Sequence, residues 1–88
     1  MEHESHPEIA KRLKRANGHL TSVIAMIEAG RPCVDLAQQL HAVEAAIINA
    51  KRALIHDHID HCLADGIGSA HAPADAALEE FRALAKYL

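Results

Sequence analysis

From Cys33 to Asp65 the chain contains neither glycine nor proline, so no residue in that run is an obvious helix breaker. Within it Leu36, Leu40, Val43, Ile47, Ala50 and Leu54 alternate four and three residues apart, the spacing of a heptad seam. The run therefore predicts one helix over residues 32–65, about nine turns long. Pro32 suits its first position, and Gly66 and Gly68 follow its end. A seam of this length needs apolar partners along the whole helix. The preceding helix of the same chain is too short to supply them all, so self-association is expected.

Two shorter helices flank the long one. Ile9, Leu13, Ala16, Leu20, Val23, Ile24 and Ile27 repeat at three and four, predicting a first helix over 7–29. Ser5-His6-Pro7-Glu8 carries a capping-box spacing with proline in the first turn. Gly30 is its C-cap candidate, and Gly18 inside it suggests a place where another helix comes close. Leu78, Phe81, Leu84, Ala85 and Leu88 predict a third amphipathic helix over 74–87. No strand pattern, repeat or phosphate-binding glycine loop is visible. The reading is all-α, with a flexible tail over 1–6 bearing His3 and His6 and a single domain over 7–88.

Composition supports association. Of 88 residues half are hydrophobic, but eighteen are Ala, with no Trp, one Phe and one Tyr. Such a chain packs helices closely yet buries little surface alone, and domains this small commonly need a metal, a disulfide or a second copy. The N-terminus is polar and acidic rather than signal-like. No apolar run approaches membrane-spanning length. A cytoplasmic protein with reduced thiols is expected.

Cys33 and Cys62 are the only cysteines, and His58 lies one helical turn before Cys62. Two thiolates and an imidazole make a soft ligand set for a transition metal. On a continuous helix Cys33 stands about 37 Å from His58, too far for one ion within a chain. Across an antiparallel pair, the start of one long helix meets the end of the other, so a metal site at a subunit interface is expected. His56 and His61 point to other faces and read as solvent or structural residues, with His61 a reserve ligand, and His19 and His41 read as half-buried polar residues. Net charge is −3, yet Lys11, Arg12, Lys14 and Arg15 cluster, and Lys51 and Arg52 form a second pair. Clustered cations attract nucleic-acid phosphates without base-reading geometry. With one Thr and three Ser, and no readable cleft or general base, an enzyme is not expected.

Arg12-Leu13-Lys14-Arg15-Ala16-Asn17-Gly18-His19, Cys33-Val34-Asp35, Gln38-Gln39-Leu40-His41-Ala42-Val43 and Asp57-His58-Ile59-Asp60-His61-Cys62 resemble the small helical repressors of the copper-sensitive-operon and nickel/cobalt-resistance family (CsoR/RcnR). The resemblance spans roughly residues 6–88. It implies three-helix protomers pairing into an antiparallel four-helix bundle, and two such dimers forming a flat tetramer. It also implies a repressor that binds double-stranded operator DNA without metal and releases it on metal binding, with no membrane partner. By similarity Arg15 and Arg52 contact DNA, supported by Lys11, Arg12, Lys14 and Lys51. Cys33, His58 and Cys62 with an added N-terminal histidine, His3 or His6, resemble the nickel-responsive variants most, in particular the DmeR-type nickel/cobalt regulators. Ni(II) or Co(II) is therefore the favoured effector. Cu(I) on Cys-His-Cys alone is the alternative, although Pro32 stands where copper sensors often place Tyr. A thiol or aldehyde sensor reacting at Cys33 is a further alternative, as is a metal-storage protein that binds no DNA.

Overall fold

The computed structural model describes residues 5–61 and 74–88, in three helices: α1 (His6–Glu28), α2 (Cys33–His61) and α3 (Ala74–Ala85). Among the described residues there is no strand, and no helix is long and apolar enough to cross a membrane. The expected stretch of α2 beyond His61 lies outside the described residues, as do Cys62 and His3.

The start of α1 departs from expectation. Ser5 is the N-cap, but its backbone is in the helical region (φ −76°, ψ −18°) and its side chain makes no capping bond. A capping hydroxyl reaches the free N–H groups from an extended backbone, so the capping box does not form. The Ile9 N–H instead donates to the Ser5 carbonyl at 2.9 Å. Glu8, the other half of the expected box, turns toward Arg12 and Arg15. His6, assigned to the tail in the sequence reading, opens the helix.

The end of α1 is as expected. Gly30 has φ +75°, a conformation that costs little only without a Cβ. The Gly30 N–H donates to the Ile27 carbonyl at 3.0 Å and the Arg31 N–H to the Met26 carbonyl at 3.1 Å. These two bonds form a Schellman motif that satisfies the last carbonyls of α1. Pro32 then accepts the first bond of α2, from the Leu36 N–H at 3.1 Å. The chain thus reverses within a few residues, and α2 runs antiparallel against α1. His19 on α1 meets Gln39 on α2, Nε2 to Oε1 2.6 Å, and Arg12 shares a groove with Ala46 and Asn49. The N-terminus of α1 consequently lies beside the last turns of α2.

One row from each helix makes most of the core. Ile9, Ala16 and Val23 are buried on α1, and Val43 and Ala50 on α2, each seven residues from the next. Ile55 is buried on a second face of α2, about 140° from Ala50 at 100° per residue. The heptad seam of α2 is therefore split. Val43 and Ala50 face inward, whereas Leu40, Ile47 and Leu54 remain 43%, 45% and 40% exposed. Leu13, Ile24 and Ile27 on α1 are exposed as well. The protomer measures 59 × 23 × 13 Å, two helix diameters wide and one thick.

Gly18 approaches nothing within 4 Å, so the close helix contact expected there is absent within the protomer. Gly18→Ala is expected to raise stability by about 1 kcal/mol through helix propensity. Gly30→Ala is expected to lower it by about 1–2 kcal/mol through the left-handed backbone. Denaturant melts followed by circular dichroism check both signs.

Candidate metal centre and basic groove

α2 carries Cys33 as its first residue and His58 in its last turn, with no interruption between them. The 25 residues separating them correspond to about 37 Å of helix. Cys33 is an exposed free thiol. It lies seven residues before Leu40 in the series Cys33, Leu40, Ile47, Leu54, and His58 follows Leu54 by four. Residues at these intervals share one face of a helix. Cys33 and His58, the two sequence-identified candidates on α2 within the described residues, thus stand at opposite ends of the exposed apolar row, and the protomer does not bring them together. Among the described residues no group of three His, Cys, Asp or Glu side chains could hold a metal ion.

His58 is held by α3. Its Nε2 lies 2.7 Å from Glu80 Oε1, with the imidazole 28% exposed and the carboxylate 51% exposed. When Nε2 carries the proton and donates to Glu80, the neutral ring has its lone pair on Nδ1, the form a metal requires. A carboxylate in this position also fixes the ring plane and raises ligand basicity. The donor chemistry at this end of α2 therefore fits a transition metal. Sequence reasoning passed over Glu80 because 22 residues separate it from His58, and no periodicity links two helices across such a gap. His61 turns back one turn, its Nδ1 3.1 Å from the Asp57 carbonyl. His41 is corrected: it is 84% exposed beside Glu44 rather than half-buried, because its face of α2 meets no other described helix. His19 is half-buried and bonds to Gln39.

All six basic residues, Lys11, Arg12, Lys14, Arg15, Lys51 and Arg52, are exposed. Arg12 Nε and Arg15 Nη2 each lie 3.9 Å from the same oxygen of Glu8, Oε1. These three side chains, with Ala46 and Asn49 of α2, line a groove of about 430 Å³. Lys51 and Arg52 lie outside it. From the sequence Glu8 was singled out only as a capping residue, and Asn49 not at all. Glu8 carried a signal, since positions 8, 12 and 15 are four and three apart. Asn49 carried none before the helix pairing was known.

Residues 5–87 match the family model described as metal-sensitive transcriptional repressor. The copper-sensing transcriptional repressor CsoR of Bacillus subtilis is 44% identical over 62 residues, 70% of this chain and 61% of that protein. The CsoR of Mycobacterium tuberculosis is 35% identical over 69 residues, 78% of this chain and 56% of that protein. The copper-sensing transcriptional repressor RicR of M. tuberculosis is 32% identical over 71 residues, 81% of this chain and 74% of that protein. Against the two CsoR proteins the chain therefore spans about three fifths of their length. Among solved structures, the nickel-responsive transcriptional regulator InrS superimposes with a TM-score of 0.83 at 26% identity, covering 100% of this chain and 98% of that one.

The His58–Glu80 bond generates a measurable expectation. Replacing an outer-shell partner of a ligating histidine costs about 10- to 100-fold in metal affinity. Glu80→Ala is expected to lose that much, measured by competition titration of the reduced protein. Unchanged affinity would mean that Glu80 does not orient the ligand.

Proposed function

Because the chain belongs to the metal-sensitive transcriptional repressor family (CsoR/RcnR), we propose that it binds operator DNA in the metal-free state and releases it on binding Ni(II) or Co(II) at sites shared between subunits. One observation carries the shared-site reading: Cys33 and His58 stand at opposite ends of one unbroken helix, on a row of apolar side chains that the protomer leaves exposed. An antiparallel second copy would cover Leu40, Ile47 and Leu54. It would also set Cys33 of one α2 beside His58 of the other. The resulting dimer is a four-helix bundle of α1 and α2 from each copy. Pairing of two such dimers into a flat tetramer completes the proposed assembly, in the cytoplasm.

Cys33 from one subunit, with His58 and Cys62 from the other, would hold the ion. A bound metal supplies bonds that tie the start of one α2 to the end of its partner. His58 brings α3 into this arrangement through Glu80. His3 is the proposed fourth ligand, because the antiparallel hairpin returns the N-terminus to the end of α2 that carries His58. His6 begins α1 at that same end. Four nitrogen and sulfur donors suit the tetragonal field of Ni(II). The copper reading rests on different ground: the curated relatives are copper sensors by name, and Cys33, His58 and Cys62 alone suit Cu(I). Cys33 as a reactive thiol is supported only by its exposure.

For DNA, the proposed contacts are Arg15 and Arg52, with Lys11, Arg12, Lys14 and Lys51 in support. All are exposed cations able to reach phosphates.

Mixing Cys33→Ala protein with His58→Ala protein is expected to restore one intact site in each mixed dimer. If subunit exchange is confirmed and no binding returns, the shared site is wrong. Metal titration of the reduced protein on its own upstream DNA decides the effector. Ni(II) or Co(II) is expected to release DNA, and His3→Ala with His6→Ala is expected to blunt that response while sparing Cu(I) binding. Full Ni(II) response in the double variant would favour copper. Arg15→Ala is expected to weaken DNA binding and to make its salt dependence shallower by about one phosphate contact.

A further inference from the structure

Glu8 sits where an anion between Arg12 and Arg15 would sit. A single carboxylate oxygen lies 3.9 Å from a nitrogen of each guanidinium. Both distances exceed hydrogen-bonding range, and all three side chains are about half or more in solvent, at 57%, 49% and 71% exposure for Glu8, Arg12 and Arg15. The carboxylate is therefore a loosely held counterion and not a structural anchor, since exposed pairs of this kind contribute little. It lies in a groove of about 430 Å³ whose other lining residues are Ala46 and Asn49 of α2. Two guanidiniums and an amide are the donor set that a tetrahedral phosphate accepts from several directions at once.

We propose that this groove is a subsite for one backbone phosphate of duplex DNA, with Arg12, Arg15 and Asn49 as donors and the Glu8 carboxylate as the resting occupant that the phosphate displaces. The proposal rests on the DNA-binding reading above. Glu8 lowers affinity for all duplexes alike, because displacing it carries no base information. It also sharpens discrimination between charged partners, because a weak or isolated anion competes poorly with a tethered carboxylate. Asn49 adds a neutral donor that contributes to binding without releasing counterions.

The test compares wild type with Glu8→Gln, Asn49→Ala and a control, Glu28→Gln, by fluorescence anisotropy on the protein's upstream duplex from low to high salt. Glu28 closes α1 about 30 Å from Glu8, so its variant removes the same charge at a distance. Glu8→Gln is expected to bind about two- to fivefold tighter at low salt, with the gain shrinking as salt screens it. The gain should vanish when Arg15→Gln is added. Asn49→Ala is expected to bind several-fold weaker with an unchanged salt slope, and Glu28→Gln to match wild type. Equal tightening by Glu28→Gln, or none by Glu8→Gln, overturns the subsite, and a silent Asn49→Ala overturns it as drawn. Displacement of the duplex by millimolar inorganic phosphate at matched ionic strength would make it a free-anion site instead. Wild type that binds no duplex at any salt fails the DNA-binding reading itself, an outcome distinct from all of these. Circular dichroism confirms that each variant keeps its helices.

Discussion

The division of α2 into two apolar rows governs the rest of the molecule. Helical geometry gives α1 access to one row only, so Val43 and Ala50 are buried while Leu40, Ile47 and Leu54 are not. Among the described residues the buried set is small: six hydrophobic residues, two of them Ala, with Val23 the largest side chain almost completely enclosed. Apolar burial is the main favourable term in folding, and this hairpin has left much of its share unused. The exposed row is thus both an unmet demand for burial and the surface on which Cys33 and His58 are mounted. In the proposed dimer, assembly and ligand placement would draw on the same residues.

The hairpin's direction matters as much as its seam. The Schellman turn at Gly30 and the His19–Gln39 bond set α1 and α2 antiparallel and in register. That register puts Arg12 and Arg15 against Ala46 and Asn49, and it brings the start of α1 toward the His58 end. The ligand end and the basic face are then neighbours along α1, within a few turns of each other. A disturbance at the start of α1 has a short path to Arg12.

Features encoded by local spacing were legible in the sequence. The continuity of α2 followed from the lack of Gly and Pro, and the Gly30 turn followed from the steric freedom of one residue. The surplus of the α2 seam over what α1 could cover was readable from length alone. Features that depend on pairing between helices were not. The His58–Glu80 bond and Asn49's place beside Arg12 need the three-dimensional register first. The capping box failed for a different reason: Ser5 took a helical backbone, and Glu8 had two cations within reach one and two turns along. The capping motif and the neighbouring charges on the same helix competed for one carboxylate; both spacings stand in the sequence, and only the motif was read from it.

The 13 Å thickness of the protomer has an evolutionary consequence. In a layer one helix thick, nearly every described side chain belongs to a face, and the interior is confined to a handful of positions, most of them spaced by sevens. The rim cations, the ligand-bearing row and the α3 contact can therefore each be rewritten with little effect on what holds the hairpin together. Substitutions far enough apart act independently. A plank built this way can change its rim charges and its exposed apolar row on separate schedules, while the few residues between its two helices stay as they are.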